Sequence, residues 1–254
     1  MAATRLRRVV QREGRNTTML SPKICLAGTG LVLLSAFSSG ALAAGAGQIQ
    51  HLSGTLSVQR ADGSIRILSQ KSEVNPGEVL TTQKDSYAQI NFTDGSSMTM
   101  RPNTQMKLVS YQFIQDKPQE DSAFFSLIKG GLRTVTGLVG KRGNQDAYRI
   151  GTSTATIGIR GSAGETLDCT QGCDGVVPGG DKAEKAVYHN TLTGSYIMTS
   201  ADGTVVIGEG QFALHKVGQA PQILKDDPGF KLNELPFIIG QNLNKSNAEN
   251  CVVR

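Results

Sequence analysis

The chain has 254 residues, with 26 Lys and Arg against 21 Asp and Glu, no tryptophan, 5% aromatic residues and 30 glycines. Six of the basic residues but only one acidic residue, Glu13, fall in 1–43, so the rest of the chain carries 20 of each and no net charge. That balance excludes the concentrated positive field that displaces counterions from nucleic acid, and the excess of glycine over aromatics predicts many tight turns instead of one thick aromatic core.

Residues 1–43 have the three parts of a secretory signal peptide. Arg5, Arg7, Arg8, Arg12, Arg15 and Lys23 form a basic region, 24–37 an apolar run, and Ala41-Leu42-Ala43 a small-residue exit. Met19 is an alternative start, leaving Lys23 as a minimal basic region. The run is shorter than the roughly 20 apolar residues that cross a bilayer. Cys25 stands at its beginning, where a lipoprotein cysteine would follow the run. The expected product is cleaved near Ala43, has no membrane span after cleavage, and works in the periplasm or outside the cell.

Residues 44–166 alternate as strands do. Leu56 and Val58 alternate with Thr55, Ser57 and Gln59; Asp62-Gly63 then turns the chain toward Ile65 and Ile67. Further on, Ala88, Ile90, Phe92, Met98, Met100, Met106 and Leu108 share one parity, with Gln89, Asn91, Thr99 and Lys107 between them. Period two places one set on a buried face and the other in water. Pro76-Gly77, Asp94-Gly95 and Pro102-Asn103 supply reversals. "ADGSIRI" at 61–67 resembles "ADGTVVI" at 201–207, with "TDGSSMTM" at 93–100 a looser copy. Each reads as a hairpin that buries its apolar face only against neighbours.

The stretch "TSTATIGIRGSAG" at 152–164 continues the pattern, with Ala155, Ile157 and Ile159 on one side and Thr154, Thr156 and Gly158 on the other. It lacks the glycine spacing and the lysine of a phosphate-binding loop. Arg160-Gly161-Ser162 is read as the exit of that strand. Arg160 is expected to pair with a carboxylate across the sheet, the alternatives being a partner contact or a bound anion.

Residues 167–186 form a Gly- and Asp-rich loop. Its Cys169 and Cys173 are close enough to bridge and are expected to do so in an oxidising compartment. Cys251 is left over, free to pair with either or to cross-link two chains. Residues 187–224 read as a second β unit, and 225–254 as an irregular tail. No cofactor or metal site is expected, since His51, His189 and His215 lie far from one another and from the cysteines. Ser126-Leu127-Ile128-Lys129 fits S-x-x-K without its companion motifs, and Ser162 lacks the glycine two residues earlier that a nucleophile elbow needs. Neither supports a catalytic constellation.

Taken in order, "GTLSVQRADG" (54–63), "VNPGEVLTT" (74–82), "SYAQINFTDGSSMTMRPNTQMKL" (86–108), "GGLRTVTG" (130–137) and "YRIGTSTATIGIRGS" (148–162) resemble the FecR family over roughly 48–166. Family members usually have threonine where Ser162 stands. The resemblance implies an extracytoplasmic, β-rich, non-enzymatic domain. In the signalling members it relays receptor occupancy by protein contact, behind a cytoplasmic anti-sigma region and a membrane helix. Residues 1–43 do not read as either of those, so sigma-factor regulation is not carried over.

The fold expected is all-β, with stacked β-hairpins forming a solenoid-like roll or an irregular sandwich and few helices after the signal peptide. The function expected is a binding or signalling module whose partner is another envelope protein or polymer. The alternatives are an envelope hydrolase using Ser162 or Ser126 with a distant histidine, and an assembly protein cross-linked by disulfides.

Overall fold

The computed structural model describes residues 45–144 and 146–230. The expected signal peptide, its exit at Ala43, Cys25, Cys251 and the tail beyond 230 lie outside the described residues. In chain order the strands are β1 (Gly47–Ser53), β2 (Leu56–Gln59), β3 (Ile65–Leu68), β4 (Glu73–Val74), β5 (Val79–Thr82), β6 (Tyr87–Phe92), β7 (Ser97–Met100), β8 (Gln105–Gln112), β9 (Ser122–Val135), β10 (Tyr148–Gly151), β11 (Ala155–Asp168), β12 (Val187–Ser200), β13 (Gly203–Gly208), β14 (Phe212–His215) and β15 (Gln222–Leu224). Two single-turn 3₁₀ helices, Pro118–Glu120 and Gly180–Lys182, interrupt the loops. The all-β expectation holds.

All fifteen strands belong to one sheet, antiparallel except where β9 and β10 run parallel. Its order resolves into two layers. In one, pairing runs β3-β2-β5-β8-β9-β10-β11-β12-β13; in the other, β4-β1-β6-β7-β9-β11-β12-β14-β15. The three 14-residue strands β9, β11 and β12 belong to both. The first half of β9 pairs with β8 and β10, and its second half with β7 and β11. The sheet therefore doubles over along a crease that these strands cross, as corners form where strands change sheets through bends. Phe92 of β6 meets Phe125 of β9 edge-on at 5.2 Å across the interior, although β6 pairs only with the N-terminal strand β1 and with β7. One core runs from Ile49 to Ala213 between the layers.

Each crossing strand changes parity at the crease. Ala123, Phe125 and Leu127 point inward from β9, and then Leu132 and Thr134 do. On β11 the inward set changes from Ala155, Ile157 and Ile159 to Ser162, Gly164 and Thr166. On β12, Val187 and His189 are followed by Tyr196 and Met198. Without the extra residue Leu132 would leave the core between the layers. Glycine makes the bend possible: Gly130, Gly161 and Gly194 have φ of 94°, 63° and 74°, which L side chains rarely adopt. Arg160-Gly161-Ser162 is therefore not a strand exit, as the pattern suggested. It is the bend within a strand that continues to Asp168.

The 167–186 loop folds back onto the outer face of the second layer. Leu167, Cys173, Val176, Val177, Tyr188, Leu214 and Phe230 form a smaller cluster there. Residues 187–224 pair with β11 through β12, so the second β unit is continuous with the first sheet.

Candidate functional site

Two places concentrate functional side chains: the corner of the crease and the free edge of β3. At the corner, Ser162 sits inside the bend. Its hydroxyl donates toward the Ser195 carbonyl (2.7 Å) and accepts from the Ser195 N–H (3.0 Å), tying β11 to β12. The Ser162 carbonyl accepts from the Thr136 N–H and hydroxyl, both at 3.0 Å. The hydroxyl that a hydrolase reading needs as its nucleophile is thus occupied by backbone, and it fastens the crease.

Arg160 stands on the outside of the same bend, exposed. Among the described residues no carboxylate lies within ion-pair distance of it, so the expected pairing across the sheet is not made. It shares an open pocket of ≈ 320 Å³ with Gly140, Lys141, Arg142, Gly143 and Gly161. Arg142 is fully engaged. Its Nε donates to Asp121 at 3.0 Å, its two terminal nitrogens to the carbonyls of Gln115 (2.8 Å) and Ile114 (3.0 Å), and its guanidinium lies over the Phe113 ring. Sequence spacing gave no hint of this cluster, because the 140–143 loop and the bend lie far apart in the chain.

The remaining chemical candidates have structural roles. Ser126 and Lys129 lie on a strand, where three residues cover roughly 10 Å, so they do not meet as one helical turn would bring them. His189 is fully buried against Tyr196 at 4.2 Å, its Nδ1 3.0 Å from the Thr166 hydroxyl, and burial pushes its pKa down to about 3. His215 is buried between the Thr154 hydroxyl (3.0 Å) and Asp202 (3.5 Å). His51 is half-buried on β1. Among the described residues no three His, Cys, Asp or Glu side chains group as a metal site.

Residues 78–174, from the approach to β5 through the cysteine loop, match the family model described as FecR protein. This segment is a FecR domain. The resemblance expected from the sequence is therefore shown over that span, while β1–β4 and β12–β15 lie outside it. No curated protein matches the chain. Two solved structures of a "putative anti-sigma factor" from Parabacteroides distasonis align at 9% identity and a TM-score of 0.43, covering 59% of this chain and 60% of theirs. A structure described as a cell surface anchoring domain aligns at 26% identity and a TM-score of 0.24, covering 24% of this chain and 80% of its own. The chain thus spans only about three fifths of the first of these, and likenesses this weak add nothing to the fold described above.

Within the FecR domain sequence reasoning missed one buried charge pair. Arg101 is 1% exposed and Glu165 0%, and the Arg101 Nε donates to the Glu165 carboxylate. Arg133 lies directly opposite Glu165 in register. Burial pushes the Glu165 carboxyl up, and Arg101 opposes it by favouring the charged form. Arg101 adjoins Pro102-Asn103, which reads as a turn, so only the fold identifies it as a core residue. The domain ends at the cysteine loop, where Cys169 and Cys173 form a disulfide with Cα atoms 4.9 Å apart. While that bond holds, neither sulfur is available to Cys251.

The second place lies outside the FecR domain. Among the described residues β3 pairs only with β2, which leaves its other side an edge of the first layer. Ile65 and Ile67, on its outward face, are 69% and 67% exposed. At the opposite margin β13 pairs only with β12 and exposes Val206. The two copies of the Ala-Asp-Gly hairpin thus form the two margins of one layer.

Proposed function

We propose that the protein is a non-enzymatic module of the cell envelope that signals or assembles by protein contact, using the β3 edge to take up an extended strand from its partner. The observation that carries this reading is the pair Ile65 and Ile67, exposed on a strand whose outer edge no described residue pairs. An extended segment added there gains main-chain hydrogen bonds, while alternate side chains meet the two isoleucines. The FecR domain supports a regulatory rather than a catalytic role. The signal-peptide pattern of 1–43 and the Cys169–Cys173 disulfide both fit an exported product in an oxidising space.

Photocross-linking from position 67 in the native envelope tests it. A discrete adduct is expected, and Ile65→Lys should abolish it, because a lysine placed on an edge disfavours strand addition. The same adduct in equal yield from exposed Gln83, or its persistence in Ile65→Lys, overturns the reading.

A further inference from the structure

The corner pocket brings positive charge into a concavity without spending it. Arg142 is held by Asp121 and two carbonyls, which fixes the 140–143 loop against the 114–121 segment. Lys141 and Arg160, both exposed, have no hydrogen bond or ion pair from their side chains to any described residue. They come from separate elements and converge. The Lys141 Cγ lies 3.4 Å from where a Cβ on Gly161 would sit, so the lysine stem runs along the bend next to Arg160. A Cβ on Gly161 would meet only the Lys141 stem and the Gly140 carbonyl, both in the lining of the ≈ 320 Å³ hollow, so glycine at 161 keeps that side of it open. Two like charges held near one another without a counterion repel, and an anion seated between them relieves both.

We propose that this pocket binds a dianionic phosphate group, held between the Arg160 guanidinium and the Lys141 ammonium. The charge match favours phosphate over carboxylate: a phosphate group carries about −1.5 to −2 at pH 7, against one charge on a carboxylate. The geometry agrees, since the planar fork of Arg160 grips two oxygens while Lys141, a point charge, takes a third. This site shares no residue with the β3 edge, and the two can fail separately.

Calorimetric titration of the purified protein with inorganic phosphate at pH 7.5 and low salt tests it, with acetate in parallel. Saturable binding at one site is expected, weakening as the pH is lowered to 5.5 and phosphate loses its second charge near pKa ≈ 6. Arg160→Gln and Lys141→Gln should each weaken it roughly tenfold or more, the loss typical of a charged hydrogen bond. Lys107→Gln, an exposed lysine of β8, should leave it unchanged. Both pocket residues are exposed, so unchanged thermal melting confirms that the variants fold. Glycerol 3-phosphate binding more tightly than inorganic phosphate identifies an organic ester as the ligand, and equal binding identifies the free anion. The proposal is overturned by absence of saturable binding, by acetate binding as tightly as phosphate, or by Lys107→Gln losing as much as the pocket variants.

Discussion

Mild acid should destabilise this protein through one residue, His189. In the fold its imidazole is wholly buried, and burial pushes its pKa down from 6.5 to about 3. Nδ1 meets Thr166, and Nε2 has no hydrogen-bond partner among the described residues, so no described group welcomes a second proton. The unfolded chain exposes the ring and protonates near 6.5, so below that pH the unfolded state binds the extra proton. Stability is then lost as pH falls from 6.5 toward 3. By linkage the loss reaches about 2 kcal/mol at pH 5, a factor of about 30 in the folding equilibrium, and about 5 kcal/mol once pH passes below 3. The figure at pH 5 is insensitive to the folded value, because the folded state is still almost unprotonated there. Urea denaturation of wild type and His189→Phe at pH 7.5 and 5.0 measures it, with carboxylate contributions cancelling between the two proteins. The variant should lose about 2 kcal/mol less than wild type between these pH values. Equal losses refute the reasoning. Should the variant not fold, NMR titration of the wild-type ring gives the answer directly, and a His189 midpoint above 5 is the refuting result.

Two further outcomes follow from the fold. Reducing the Cys169–Cys173 bridge should lower stability by about 2 kcal/mol, the chain-entropy value for so short a loop; an unchanged urea midpoint with dithiothreitol contradicts it. Gly130→Ala should cost about 2–5 kcal/mol, because its Cβ would sit 2.6 Å from the Thr104 Cα at a φ of 94°. Gly63→Ala, at a φ of 82° with nothing within 4 Å, should cost only about 1–2 kcal/mol. Matching losses in a denaturation series would show that crowding at the crease is not what makes Gly130 necessary.

Much of the β content was legible because alternation is local. Met98 and Met100, or Ile157 and Ile159, report their face to any reader of period two, and both pairs are core residues. The crease was not legible. A parity change needs only one extra residue, and Gly161 between Arg160 and Ser162 looks the same whether a strand stops or bends there. Only the pairing of β11 with β12 on both sides of that glycine, and with β9 beyond it, separates the two. The same limit hid the corner pocket and the Arg101–Glu165 pair, which join residues 64 positions apart in the latter case. Long-range charge contacts leave no spacing to read. The exposed edge was half visible: Ile65 and Ile67 alternate as core residues do, but register places them opposite Gln59 and Ser57 on the outward face, while Leu68 turns inward opposite Leu56.

Because β9, β11 and β12 each run unbroken through both layers, the two faces of this sandwich are not separable leaves. Load applied to one margin passes along covalent backbone into the other layer, so neither can peel away without unzipping its neighbour. Tension arriving at one rim is carried along these three strands, through their glycine bends, toward the opposite one.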